Sequence, residues 1–167
     1  MQSIAKCPDN TFRQIKAVLC DIDDTLSWKG KLPAVAYMAL ENLQLLDEEG
    51  IVDHARDVAG PYLAEKWAEL GDHPLVGEAR IIGMMGALEL TPDKASRAAF
   101  KTDAGTVGLR CRERCFANGL VMRHVRDTMI ISPPLIMTKA DIDTFADRAA
   151  RALDETLAGL KSDGLMQ

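Results

Sequence analysis

Apolar residues recur along this chain with two different periods, and the changes of period mark out its elements. From Pro33 to Glu49, Val35, Ala39, Leu43 and Leu46 recur at helical spacing, Pro33 suits a first helical turn, and Gly50 ends the run. A second helix is predicted over about Ile51 to Leu70, turning Val58, Leu63, Trp67 and Leu70 inward, with Gly60-Pro61 kinking or dividing it. Gly71-Asp72-His73-Pro74 forces a loop. Gly77 to Leu90, rich in Ile, Met and Leu, reads as one extended segment, and the polar stretch from Thr91 to Asp103 as a mobile loop. Helical spacing resumes over Ala104 to Ala117, where Asn118-Gly119 makes a left-handed cap.

The stretch from Gly119 to Leu135 changes to strand alternation and stops at Pro133-Pro134, which cannot donate to a ladder. It predicts a short hairpin with Val121, Arg123 and Val125 on one face and Leu120, Met122 and His124 on the other. The last helix starts at Thr138 as N-cap with Asp141 in its first turn. Ile142, Phe145, Ala149, Leu153, Thr156 and Leu160 form its apolar stripe, and Asp147, Arg148, Arg151, Asp154 and Glu155 stay polar. These elements predict an α+β fold, a small antiparallel sheet of about three strands with helices over one face.

Arg123 is the leading candidate for chemistry. A cation between two valines needs either a route to water along its methylene stem or an anionic partner for its planar fork, and spacing alone leaves both open. His124 faces the opposite side of the strand, so spacing does not place it in a site with Arg123. Glu89 ends an apolar strand, where it can pair with Arg80 or with a helix cation. Trp28 and Trp67 have no surrounding pattern that suggests base stacking.

The segments Gly119-Leu-Val-Met-Arg123 and Asp127-Thr-Met-Ile-Ile-Ser-Pro-Pro-Leu135 resemble the C-terminal small domain of class III, pyridoxal-phosphate-dependent aminotransferases of the omega-amino-acid or amine:pyruvate type. Gly77 to Leu90 resembles that family's Val-Arg-Gly-x-Gly-Leu-Met strand, and Pro33 to Leu43 resembles the helix after its Ser-Gly-His-Pro segment. The resemblance runs in order over about residues 33 to 160. It implies a small domain at 33 to 162, a tail at 163 to 167, and an extension at 1 to 32. It implies amino transfer from an amine or omega-amino acid to pyruvate through pyridoxal phosphate, with the arginine matching Arg123 holding the substrate carboxylate. It also implies a dimer, or a separate chain supplying the large domain. Arg126 departs from the family pattern, which has glycine before the turn aspartate, so either strain or a different turn is expected there. The Schiff-base lysine, the aspartate on the pyridine nitrogen and the phosphate cradle belong to the family's large domain. Lys66, Lys94, Lys101 and Lys139 match no such motif, and inactivity of the chain alone is expected, with no catalytic or cofactor-binding residue of its own.

Composition narrows the classes. The 167 residues suit one domain with a short appendage, and 47% apolar content is enough for a core. A net charge of −5 without any basic run argues against nucleic acid. No segment suits a signal peptide or a membrane span. Cys7, Cys20, Cys111 and Cys115 show no extracellular disulfide framework and suit reduced thiols in the cytoplasm. Cys111 and Cys115 lie one helical turn apart, and only His54, His73 and His124 are available to join them around a metal, so buried small hydrophobes are the simpler reading.

One motif lies outside this resemblance. The apolar strand pattern Ile15 to Cys20 runs into Asp21-Ile-Asp23-Asp-Thr25, which resembles the first motif of haloacid-dehalogenase-like phosphohydrolases. That resemblance implies Asp21 as nucleophile, Asp23 as acid and base, and Mg²⁺ as cofactor. The remaining motifs of that family are missing after Leu32, which leaves an acidic turn after a single strand as the simpler reading. A third possibility is a non-catalytic module that associates through surface a large domain would otherwise cover.

Overall fold

The computed structural model describes residues 34–166, and the chain divides into two compact units, Met1–Leu45 and Leu46–Gln167. Asp21, Asp23, Cys7, Cys20 and Trp28 lie outside the described residues. The expected first helix is present as α1, Ala34–Glu48, followed by Gly50 at φ 61°. Its residues Tyr37, Met38, Leu40 and Leu43 are exposed.

The second predicted helix is interrupted as its Gly-Pro pair requires. α2 (Ile51–His54) passes through a π-helical turn, Ala55–Ala59, into α3 (Gly60–Gly71) with Pro61 in its first turn. Proline has no N–H for the usual i−4 bond, and a wider turn absorbs the lost bond. The extra residue rotates the helix surface. Ala55 and Ala59 turn into the core and Val58 turns out, contrary to the regular spacing, while Leu63, Trp67 and Leu70 are buried as expected.

Gly77 to Leu90 is a hairpin instead of one strand. β1 (Val76–Ile82) pairs antiparallel with β2 (Met85–Leu90) through a two-residue turn at Gly83-Met84. Among the described residues the sheet therefore has four strands rather than three, in the order β1-β2-β4-β3, with β3 at Arg123–Val125 and β4 at Thr128–Ile131. The two hairpins join where β2 meets β4, with Leu88 opposite Met129 and Gly86 opposite Ile131. These side chains point into the core beneath α3, α4 (Thr106–Ala117) and α5 (Lys139–Ser162).

Trp67 of α3 anchors the covered face. Its indole donates to the carbonyls of Arg80 (3.0 Å) and Ala87 (3.3 Å), and Phe145 of α5 stacks on its other side at 6.1 Å. The ring lies so close to β2 that a Cβ on Gly86 would be 2.8 Å from it, so only glycine fits there. Tyr62 ties α3 to α5 by donating to Asp143 at 2.7 Å, and His54 donates to the Met137 carbonyl at 2.9 Å.

Local hydrogen bonds hold the segment after β2. The Thr91 hydroxyl, buried, donates to the Ala98 carbonyl at 2.7 Å, Asp93 accepts from Ala95 N–H and Ser96, and Phe100 enters the core. Lys94 donates to the Gly71 and His73 carbonyls at 2.8 and 3.2 Å and so satisfies the C-terminal end of α3. α4 closes as expected, with Gly119 at φ 72° and the Schellman pair Gly119 N–H to Phe116 and Leu120 N–H to Cys115.

α5 opens with a reciprocal capping box between Thr138 and Asp141, and every residue of its predicted stripe is buried. The Thr138 hydroxyl and backbone N–H both donate to the Asp141 carboxylate, which holds its pKa below the ordinary aspartate value. A depressed folded-state pKa adds stability above the unfolded value, near pH 4, and loses it as pH falls through the folded value. Asp141→Asn is therefore expected to flatten the acid limb of stability below about pH 4 while costing little of the pH dependence near neutrality. Urea midpoints measured across that range check this, and an unchanged acid limb would refute it.

Candidate functional site

β3 and β4 give the sheet an uncovered face. Registers place Arg80, Ala87, Ile130 and Arg123 in one row across it, with Glu78, Glu89, Thr128 and Val125 in the next. Alternation holds as predicted. Leu120 and Met122 are buried, while Val121 (83% exposed), Arg123 and Val125 face outward. On the far edge of this face, Arg80 pairs with Glu78 at 3.4 Å and Glu89 at 3.6 Å, the second being the expected partner. Arg123 has no ion-pair partner among the described residues. The cation between two valines therefore takes the route to water, and its fork is free.

The hairpin carrying Arg123 is fixed from its turn. Asp127 accepts from Gly105 N–H (3.2 Å) and Gly108 N–H (2.9 Å), placing a carboxylate on the positive end of α4, and its carbonyl accepts from Leu90 N–H of β2 at 2.9 Å. A Cβ on Gly108 would lie 2.1 Å from the Arg126 carbonyl oxygen, so a glycine allows the turn to approach the helix. Arg126 itself adopts φ 52°, the strained option of the two expected from sequence. It sits at the turn, three residues along the chain from Arg123.

Arg123 borders two grooves. One, of about 530 Å³, is mainly apolar and is lined by Leu120, Val121, Ile130, Pro133, Pro134 and Phe145 among others. The second, of about 370 Å³, lies between α4 and the β3 edge and is lined by Arg112, Phe116, Val121, Met122, Arg123 and His124. His124 does lie on the opposite strand face from Arg123, yet the two meet around this edge groove, which face alternation alone does not reveal. The apolar groove was legible as hydrophobic sequence but not as a groove, because Phe145 and the prolines reach it from another element.

Neither groove has a lysine or a carboxylate among its lining residues. Lys66 is paired with Glu69 at 3.1 Å, which raises its pKa; Lys94 caps α3; Lys139 lies 5.0 Å over the Tyr62 ring. Pyridoxal phosphate chemistry calls for a lysine and a partner for the ring nitrogen, and neither groove beside Arg123 offers them. Cys111 and Cys115 are both buried, and no group of three metal-ligating His, Cys, Asp or Glu side chains occurs among the described residues. The hydrogen bond between the two thiols, with burial, pushes the Cys115 thiol up, while the same bond draws Cys111 down. No described helix is long and apolar enough to cross a membrane.

No protein-family model matches the chain. The putrescine–pyruvate aminotransferase of Pseudomonas aeruginosa is 52% identical over 128 residues, covering 77% of this chain and 28% of the enzyme. Diaminobutyrate–2-oxoglutarate transaminase of Halomonas elongata is 34% identical over 131 residues, with the same two coverages. The omega transaminase of Pseudomonas jessenii, solved in complex with PMP, superimposes with TM-score 0.73 and 35% identity over 78% of this chain and 28% of that one. The chain is homologous to class III aminotransferases. It spans about 28% of the length of the curated relatives it matches first, as a C-terminal fragment would. These relatives are pyridoxal-phosphate-dependent, and the four-stranded α+β layer agrees with omega transaminase structures. The phosphohydrolase reading finds no support among them.

The Asp127 clamp is testable by stability. Asp127→Ala should cost about 1–2 kcal/mol, as lost helix caps do, and Arg126→Gly should gain about 1 kcal/mol by relieving positive φ. Urea unfolding of both variants checks the pair, and a neutral Asp127→Ala would show that the turn does not cap α4.

Proposed function

We propose that this chain acts as the substrate-carboxylate side of an omega-amino-acid or amine:pyruvate transaminase. Arg123 receives the carboxylate of an omega-amino acid or of the keto acid, and the rest of a complete enzyme holds the coenzyme. The observation that carries this is a free, outward guanidinium fixed on a clamped hairpin beside an apolar groove. Two parallel N–H···O bonds suit a carboxylate better than any lysine could, and the neighbouring groove suits the methylenes between carboxylate and amine. An uncharged amine end would leave Arg123 in solvent, where it already stands without cost.

Pyridoxal phosphate, when bound by such an enzyme, serves as the electron sink, and that chemistry is not assigned to any described residue. This polypeptide, without further chain, is expected not to transaminate. Incubation with pyridoxal phosphate, putrescine and pyruvate should yield no alanine, and borohydride should fix no pyridoxyl group on a defined lysine. A stoichiometric adduct would overturn that expectation.

Arginine side-chain NMR tests the role of Arg123. Titration with 5-aminovalerate should shift the Arg123 Nε–Hε resonance, and Arg123→Met should weaken binding at least about tenfold. Putrescine, which has no carboxylate, should leave that resonance in place. Equal effects of the two ligands would contradict the reading.

A further inference from the structure

Three sulfur atoms meet where α4 packs against the start of β3. Cys111 and Cys115 lie one turn apart on the buried side of α4, and their thiols hydrogen-bond to each other. The Cys115 Sγ lies 3.8 Å from the Met122 Sδ. Exposures of 1%, 1% and 3% put all three side chains inside the molecule. The bond from Leu120 N–H to the Cys115 carbonyl, 2.8 Å long, holds the segment that carries Met122 against the helix. On the far side of Cys111 stands the buried Thr156 of α5, whose hydroxyl donates to the Ala152 carbonyl at 2.6 Å.

Burial alone accounts for two small thiols as core residues, but it does not require three sulfurs to converge. A disulfide does not fit the pair. Helix positions four apart hold their Cβ atoms about 5–6 Å from each other, whereas a disulfide needs about 3.5–4.5 Å, so oxidation would unwind α4. A metal ion bridges the wider gap. Sulfurs at about 2.3 Å from one ion, at the corners of a triangle, stand roughly 4 Å apart, which is the spacing between Cys115 and Met122. Two thiols and a thioether, with no imidazole or carboxylate, make a soft donor set that selects Cu(I). Met122 also lines the groove of about 370 Å³ between α4 and the β3 edge, so movement of one flexible thioether opens the sulfurs to solvent. That groove has Arg112 and Arg123 in its lining and no carboxylate, which suits the single negative charge of a Cu(I) dithiolate.

We propose that Cys111, Cys115 and Met122 form a three-sulfur site for a single Cu(I) ion. On binding, each thiol releases its proton to solvent and its sulfur bonds the metal. The Met122 thioether adds a neutral third donor, and copper stays monovalent throughout. Cys111 ionises first, because the bond from Cys115 favours its thiolate. An ion held there ties α4 to the start of β3.

Anaerobic titration of the full chain with Cu(I), in competition with the chelator bicinchoninate, tests the site. A Cys7→Ser, Cys20→Ser background removes the two other cysteines. One Cu(I) per chain should bind in that background, and X-ray absorption should show three sulfurs at about 2.3 Å. Met122→Leu conserves volume and so keeps the core; it should weaken binding at least about tenfold and leave two sulfurs around the ion. Cys111→Ser and Cys115→Ser should each weaken it at least about a hundredfold, more than loss of an outer partner does. Zn(II), which takes four donors, should bind far more weakly than Cu(I). Loss of binding on replacing Cys7 and Cys20 alone would overturn the proposal. So would an affinity that Met122→Leu leaves unchanged, a first shell without three sulfurs, or Zn(II) binding as tight as that of Cu(I).

Discussion

The pairing of β2 with β4 is the constraint on which this structure depends. Each hairpin alone is a two-stranded ribbon, which is marginal in water. Joined by β2 and β4, they form one sheet with Leu88, Met129, Gly86 and Ile131 on a single face. Trp67 and Phe145 close that face, and burial of large aromatic and aliphatic side chains at roughly 25 cal/mol per Å² supplies the driving force. The same pleat that sends those side chains inward sends Arg123 outward. The site is thus a by-product of core registry: a one-residue slip in β3 would bury a guanidinium and expose Met122.

Register alone does not fix where the hairpin tip lies, and Asp127 supplies the second constraint. Its carboxylate, its carbonyl and the close approach permitted by Gly108 bind the turn to α4 and β2 together. This accounts for Arg126 at positive φ. The strained residue persists because its neighbours on both sides are held by other elements. α4 in turn carries Arg112 to the β3 edge, so one carboxylate orders both walls of the basic groove.

Local signals made much of this legible from sequence. The Thr138 cap, the stripe of α5 and the Asn118-Gly119 stop depend on neighbours within one turn, and each stands where periodicity put it. Failures arose where one residue changed the phase. Val58 faces outward because a π turn before Pro61 shifts the helix surface, and Gly83-Met84 folds an apparently continuous strand back on itself. The Asp127 clamp and the Arg112–Phe116 wall join residues far apart in the chain, and no local pattern encodes them. Arg123 could be singled out beforehand because a charge on an apolar strand conflicts with its surroundings, and such conflicts collect at functional positions.

The homologous enzymes act on amines and keto acids such as pyruvate, and the role proposed for Arg123 is to receive a carboxylate of that kind. A crystal structure of this chain grown with 5-aminovalerate tests the central claim most directly. Both carboxylate oxygens should lie on the Arg123 guanidinium, with the methylene chain in the groove beside Ile130 and Pro133. A carboxylate bound elsewhere, or Arg123 turned onto a carboxylate of the protein itself, would contradict it.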